Sequence, residues 1–361
     1  MAERIKVLII DDSRLFRSAL DEALSGQGDI AVVGSVFSGL KALEFIRQSP
    51  PDIVTLDVEM PGMNGLETLE QIQQINPSIG VVMVSAFTRR GADITVKALQ
   101  AGAFDFVTKP SGPSVQENLA ALRDEVLFKI RACARHRANL GAKSGVRLTV
   151  RSSVVSMMVS VTRRPAALTR LIVIGASTGG PRALSTLLPE LCSLINLPIL
   201  LVQHMPHGFT QSLADSLARE TKKVVVEATD GASIDAGTVY IAPGGQHLVI
   251  RGVGPSAKLG LSDQPPENGC RPSADVLFRS AASAFGGAVT AIILTGMGRD
   301  GTAGLGAIRR AGGYVIAQDE ASSVVWGMPG SAVEAGVTNE VLPLNQIARA
   351  VSALVQKNKR S

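Results

Sequence analysis

Apolar residues in the first 110 positions fall in short blocks separated by amphipathic stretches. The blocks are Ile5–Ile10, Ile30–Val36, Asp52–Leu56, Val81–Ser85 and Ala103–Val107. Each is short, bounded by turn residues and rich in Val and Ile, the signature of strands. Between them, segments such as Arg14–Leu24 and Gly65–Ile75 have helical spacing. Apolar strands alternating with helices predict an α/β unit, (βα)5, with a parallel sheet covered on both faces. A last helical stretch, Ser114–Arg137, runs into a basic region.

A second alternation starts at Leu171. Its strand candidates are Leu171–Gly175, Pro198–Gln203, Lys223–Glu227, Val239–Ala242, His247–Arg251, Ala288–Leu294 and Tyr314–Gln318. Helices are predicted over Pro181–Leu191, Gln211–Arg219, Ser273–Ala284 and Thr302–Ala311. The Pro-Gly-Gly of Pro243–Gly245, inside Tyr240–Arg251, is a hairpin signal. The second half therefore reads as a doubly wound, mostly parallel α/β domain with a β-hairpin. Between the halves, residues 140–168 show no clean period, although Val154–Val161 is apolar enough to pack on something. The division is 1–122, a basic helix end and linker at 123–169, and 170–358.

Charge changes this picture in one place. The net +5 divides unevenly: residues 1–122 carry 10 Lys/Arg against 15 Asp/Glu, residues 123–170 carry 11 against 2, and residues 171–361 carry 15 against 14. The basic character belongs to the linker. A nucleic-acid-binding domain would spread it over a folded face, so no nucleic-acid partner is expected. No apolar run approaches the roughly 20 residues of a transmembrane helix, and the N-terminus lacks signal-peptide architecture, so a cytoplasmic protein is expected. Cys133, Cys192 and Cys270 fit neither a metal spacing nor a disulfide framework.

Three predicted strand ends carry polar residues that a plain core does not need. Asp11 and Asp12 follow the first strand, Asp57 the third and Lys109 the fifth. Ligands gather outside the carboxyl ends of parallel strands. Three acids and a lysine converging there suit a Mg²⁺-dependent phosphoryl site, with one carboxylate as the nucleophile. Taken singly, each has a plainer reading: Asp11 or Asp12 as a helix cap, Asp57 as a turn residue, Lys109 as a surface lysine. The run from Asp57 through Met60-Pro61-Gly62 to Gly65, with Ser85, Phe106 and Lys109-Pro110, closely resembles the receiver domains of response regulators. The resemblance covers residues 5–122 and implies a flavodoxin-like fold. It implies that Asp57 accepts a phosphoryl group from a histidine kinase. It also implies that Asp11, Asp12, Asp57 and the Glu59 carbonyl hold Mg²⁺, and that Ser85, Phe106 and Lys109 respond to the phosphate.

In the second half, Gly175-Ala-Ser-Thr-Gly-Gly180 lies between a strand and a helix. Gly-x-Ser-x-Gly lets a serine stand exposed on a tight turn beside backbone N–H groups. A phosphate loop is the rival reading, because glycine-rich turns at helix N-termini bind phosphate through the same groups. Of four histidines, His204 ends the next strand, on the edge where Ser177 lies. His136 reads as a solvated helix residue, His207 as a loop residue and His247 as structural. Asp300, in the glycine-rich loop after another strand, is the candidate orienting acid, with Asp319 as its rival; Asp275 and Asp263 are weaker competitors. The order Ser177…His204…Asp300 differs from the Ser…Asp/Glu…His order of α/β-hydrolases.

Gly175–Gly180, Gln203-His204-Met205-Pro206, Arg271–Phe278, Thr295–Gly301 and Gly327-Met328-Pro329 together resemble the catalytic domain of the chemotaxis protein-glutamate methylesterases, the CheB family. The resemblance spans about residues 170–355. It implies Ser177 as nucleophile, His204 as base and Asp300 as orienting acid. Thr178 and Met297 would line the site, and main-chain donors near Met297 would face the oxyanion. The implied substrate is a glutamate γ-methyl ester on a chemoreceptor, with glutamine deamidation as a second activity, no cofactor in the esterase site, and recruitment to receptor arrays. Two other classes stay in view: a DNA-binding response regulator and a nucleotide-binding module built on Gly175–Gly180.

Overall fold

The computed structural model describes residues 4–110, 114–145 and 168–357. The apolar linker stretch Val154–Val161 lies outside the described residues. The N-terminal unit contains β1 (Ile5–Ile10), α1 (Arg14–Leu24), β2 (Ile30–Val36), α2 (Gly39–Gln48), β3 (Ile53–Asp57), α3 (Gly65–Ile75), β4 (Gly80–Ser85), α4 (Arg89–Gln100), β5 (Asp105–Thr108) and α5 (Val115–Gly145). Its five strands pair in parallel in the order β2-β1-β3-β4-β5. The period of two along β1 explains the layering. Val7 and Ile9 pack with Leu20 of α1 and Val126 of α5, whereas Leu8 and Ile10 pack with Ala42 of α2 and Leu69 of α3.

Helix starts are locally encoded. Asn64 and Glu67 form a capping box at α3, and Thr88 Oγ1 accepts the Gly91 N–H at α4 (2.9 Å). Each cap contributes about 1 kcal/mol. Helix α5 runs to Gly145, beyond the expected Arg137. The residues after Arg137 are mostly compatible with a helix, and one interior glycine, Gly141, costs only about 1 kcal/mol.

The C-terminal unit contains β6 (Leu171–Ala176), α6 (Gly180–Leu194), β7 (Ile199–Gln203), α7 (Phe209–Thr221), β8 (Val225–Glu227), β9 (Val239–Ile241), β10 (His247–Arg251), β11 (Lys258–Ser262), α8 (Ala274–Phe285), β12 (Val289–Ile293), α9 (Thr302–Arg310), β13 (Tyr314–Gln318), α10 (Gly327–Glu334), β14 (Glu340–Leu342) and α11 (Leu344–Lys357). Seven strands pair in parallel, in the order β14-β13-β12-β6-β7-β9-β8. The chain leaves β6 toward β7 on one side and reaches β12 on the other, so the switch point of the sheet lies at the carboxyl end of β6.

The hairpin is displaced from its expected place. Pro243–Gly245 does not join two antiparallel strands, because β9 belongs to the parallel sheet. The antiparallel pair is β10–β11. Gly244 instead serves a close approach: a Cβ there would come within 2.2 Å of the Pro206 carbonyl carbon. The pattern reading also does not include β11, β14, α10 or α11. Of these, β14 is only three residues long, and α10 contains the apparent helix breakers Gly327, Pro329 and Gly330.

The two units are packed together. Helix α4 lies against α6 and α7. Gln100 donates to Ser185 Oγ and Glu220 Oε1, both at 2.9 Å, and accepts from Ser216 Oγ at 2.9 Å. One apolar cluster continues from Leu99 and Phe106 of the first unit into Phe209 and Leu213 of the second.

Candidate active sites

In the N-terminal unit, parallel pairing brings the ends of β1, β3 and β5 together. Asp11 and Asp57 are buried there, and Asp12 is exposed. Lys109 Nζ lies 2.8 Å from Asp11 and 2.9 Å from Asp57. Burial raises the Asp57 carboxyl to about 6, with the Asp11 charge adding to the rise and Lys109 opposing it. Burial also raises Asp11, against the pull of Lys109. Oxygens of Asp11, Asp12 and Asp57 lie within 4.8 Å of one another. Crowded hard-oxygen donors compensated by a single lysine fit a divalent cation such as Mg²⁺. Glu59 approaches through its backbone N–H, which donates to Asp57 Oδ1 at 3.4 Å.

The Ser85 hydroxyl donates to the Ala86 carbonyl (3.2 Å) and accepts from Thr95 Oγ1 (2.9 Å). Phe106 is buried, with its ring centroid 4.8 Å from that of Phe209 in the second unit. Lys129 stands over the same ring at 5.1 Å and donates to the Phe106 carbonyl.

The second site opens at the carboxyl end of β6, in a cleft of about 520 Å³ between the two units. Ser177 stands on the tight turn into α6. Its N–H donates to the Thr295 carbonyl (3.0 Å), and its own carbonyl accepts from the Gly180 N–H (2.7 Å). These internal bonds occupy amides that a phosphate loop would leave free. Close packing needs glycine at 296, where a Cβ would come within 2.8 Å of the Ser177 Cβ. Met297 lines the same cleft.

His204 follows β7, and its Nε2 lies 2.8 Å from Asp300 Oδ2. Asp300 is tied into the N-terminus of α8, accepting from the Ala274 N–H (2.6 Å), the Asp275 N–H (3.2 Å) and the Ser273 hydroxyl (2.7 Å). Burial would raise its carboxyl, but the His204 bond and these donors hold it at about 2. Burial would lower His204, yet the bonds to Asp300 and Cys270 lift it to about 9. The Ser177 Oγ makes no hydrogen bond among the described residues. His204 Nδ1 instead meets Cys270 Sγ at 3.5 Å.

Competing residues have structural employment. Asp275 Oδ1 accepts the Gly304 N–H (2.6 Å) at the start of α9, and Asp319 accepts the Ser322 N–H (3.0 Å) in a turn. His247 is buried, accepting from the Ser273 N–H and facing the Pro265 carbonyl. His207 is exposed, whereas His136, expected to be solvated, is half-buried against Phe104. Its position on α5, where the first unit meets Met297 and Val324, accounts for the difference.

Two features were not readable from the pattern. Thr178 Oγ1 donates to Asp105 Oδ2 of the first unit at 2.5 Å, and Lys129 Nζ donates to the other oxygen, Oδ1, at 3.3 Å. Asp105 stands beside Phe106, the only hint of its place in the sequence. Cys270 gave no signal at all.

Comparison with known proteins places both units in families. The response regulator receiver domain model matches residues 7–120, and the CheB methylesterase model matches residues 172–351. Together they define a response regulator whose output domain is a hydrolase. A protein-glutamate methylesterase/protein-glutamine glutaminase of Desulfotalea psychrophila is 42% identical over 359 residues, covering 97% of this chain and 98% of the relative. One of the same description from Thiobacillus denitrificans is 44% identical over 356 residues, covering 96% of each. The crystal structure of the Thermotoga maritima CheB methylesterase catalytic domain matches with a TM-score of 0.50 and 42% identity, covering 52% of this chain and 99% of that one. The chain belongs to the protein-glutamate methylesterase/protein-glutamine glutaminase family, CheB.

Proposed function

We propose that this chain is a cytoplasmic, phosphorylation-activated esterase. It hydrolyses glutamate γ-methyl esters on chemoreceptors to glutamate and methanol, and deamidates receptor glutamines at the same site. The observation that carries the reading is the His204–Asp300 pair beside the Ser177 turn, in one cleft covered by the receiver.

Ser177 Oγ attacks the ester carbonyl. With Nε2 taken by Asp300, His204 Nδ1 is the nitrogen that accepts the serine proton, and it returns that proton to the departing methoxide. Water, deprotonated by the same nitrogen, then cleaves the acyl-serine. For a glutamine side chain the leaving group is ammonia. Asp300 holds the imidazole orientation and balances the imidazolium. Main-chain donors around Met297 face the developing oxyanion, each such donor being worth about 2.7–4 kcal/mol of barrier.

In the receiver, Asp57 is the phosphoryl acceptor and a histidine kinase the donor. Asp11, Asp12, Asp57 and the Glu59 carbonyl would hold Mg²⁺, which supplies charge neutralisation of the phosphoryl group. Lys109 pairs with the product phosphate, Ser85 turns its hydroxyl toward it, and Phe106 moves. Because Phe106 packs on Phe209 and adjoins Asp105, its motion loosens the cover over the cleft. Recruitment to receptor arrays follows from the substrate.

The test is methanol release from methylated chemoreceptor membranes with Mg²⁺, with and without a small phosphodonor. Wild type is expected to release methanol, faster with the phosphodonor, and Ser177→Ala to be silent. Equal release by Ser177→Ala would overturn the assignment.

A further inference from the structure

Cys270 is a nucleophile in the esterase cleft that the proposed reaction does not use. It is half-buried, and its sulfur stands 3.5 Å from His204 Nδ1, the nitrogen that must receive the Ser177 proton. The turn that carries it is firmly built. Glu267 and Cys270 exchange backbone hydrogen bonds at 3.1 and 2.9 Å. Arg279 grips Glu267 with two contacts of 2.7 and 2.5 Å. Asn268, in the left-handed region at φ 53°, donates to both Asp275 (2.9 Å) and Asp300 (3.2 Å). The turn is thus anchored to the acid that orients His204, which fixes the sulfur relative to the imidazole.

The other two cysteines differ in kind. Cys133 and Cys192 are buried, and burial pushes their thiols up to about 12 and about 11. Buried thiols of this sort are inert, whereas an accessible thiol beside a histidine nitrogen has the arrangement of an activated nucleophile.

We propose that Cys270 is a thiol modification site that governs the esterase: reaction of its sulfur with a soft electrophile or a peroxide closes the cleft and takes His204 Nδ1 away from Ser177. With a maleimide, the sulfur adds across the carbon–carbon double bond: the carbon–sulfur bond forms as the π bond breaks, the thiol proton leaves through Nδ1, and the neighbouring carbon takes up a proton from solvent. With a peroxide, the sulfur attacks one oxygen and the O–O bond breaks. The departing oxygen leaves as water, carrying the thiol proton, and Cys270 becomes a sulfenic acid. The sulfur is oxidised by two electrons and the peroxide reduced by two; an added dithiol reverses the step. Either product adds atoms to the sulfur that faces Nδ1, in the cleft that Ser177 also lines.

The inference rests on the esterase reading for one of two readouts. Native full-length protein is treated with N-ethylmaleimide, or with hydrogen peroxide followed by a sulfenic-acid trap, and modified peptides are identified by mass. Cys270 is expected to react at least tenfold faster than Cys133 or Cys192, and His204→Gln to slow that reaction at least tenfold. Methanol release is expected to fall with the adduct, at least tenfold at full labelling. Dithiothreitol should restore it after peroxide without the trap. Cys270→Ser, read against its own untreated sample, should resist both reagents. Fully labelled Cys270 with undiminished release, or equal inactivation of Cys270→Ser, would overturn the proposal. So would labelling indifferent to His204→Gln. An untreated chain without esterase activity would sink the esterase reading instead, and the labelling rates would still decide this one.

Discussion

The two sites place an aspartate in the same topological position, at the carboxyl edge of a buried parallel sheet, and give it opposite character. Asp57 shares its pocket with Asp11 and one lysine, so burial and like charge lift it to about 6. Asp300 is as deeply buried, but the amides at the head of α8, Ser273 and His204 converge on it and hold it at about 2. Burial disfavours both ions equally in kind; the number of donors decides the outcome. A carboxylate short of donors is kept available for a cation and an incoming phosphoryl group. One saturated with donors is a fixed anion, which in the proposed mechanism orients His204.

The sharpest way to break this comparison is to remove the fixed anion. Asp300→Asn is expected to lower kcat/KM for methanol release on the order of 10⁴-fold, by analogy with orienting acids elsewhere. Phosphorylation of Asp57 should be untouched. The pH profile separates orientation from mere folding. In wild type His204 is lifted to about 9, so release should rise with pH toward that value. In Asp300→Asn the limb should move down toward 6.5. A limb that stays in place would show that Asp300 does not govern the histidine.

The matching change at the first site acts on regulation alone. Asp57→Asn is expected to retain the unphosphorylated rate and to lose all stimulation by a small phosphodonor. Chelation of Mg²⁺ should abolish stimulation of wild type without changing its basal rate. Stimulation that persists in Asp57→Asn would remove the receiver site from the comparison.

Between the sites runs the bond from Asp105 to Thr178, next door to Ser177. A hydrogen bond to a charged group is worth about 1.5–3 kcal/mol. Asp105→Asn should therefore raise the unphosphorylated esterase rate by roughly tenfold or more, as the cover loosens. A rate at or below that of wild type would show that this contact does not hold the receiver down.

The sequence carried the parts of each site that are local. A strand end followed by Asp-Asp, or Gly-x-Ser-x-Gly ahead of a helix, imposes its geometry within a few residues. It was silent where geometry arises from distant segments meeting. Asp105 reads as an ordinary strand residue until α6 brings Thr178 to it. Asp300 was legible as a candidate orienting acid, but nothing local shows that its oxygens reach the amides of α8, while Asp275 of α8 accepts an amide of α9 in return. The misplaced hairpin has the same origin: Pro243–Gly245 has turn chemistry, but its glycine is required by the neighbouring Pro206–His207 backbone.

The smallest expected effect on activity, and the finest test of the contrast, is in stability against pH. The Asp300 carboxyl is depressed in the fold, so its stabilisation is present above 3.8 and is lost as pH falls from there through about 2. That loss is worth about 2 kcal/mol in the C-terminal unit. The Asp57 carboxyl is raised, so the sign reverses: its ionisation opposes folding at neutral pH, and the receiver gains stability as pH falls from about 6 toward 3.8. Hydrogen exchange, followed peptide by peptide in the full chain, reads each unit separately. Protection in β3 and β4 is expected to rise on acidification from pH 7 to 5 after correction for intrinsic rates, and Asp57→Asn should flatten that rise. Protection in β6 and α8 should hold to about pH 4 and then fall, and Asp300→Asn should remove that fall. Parallel behaviour of the two units would mean that donor number does not separate the two aspartates.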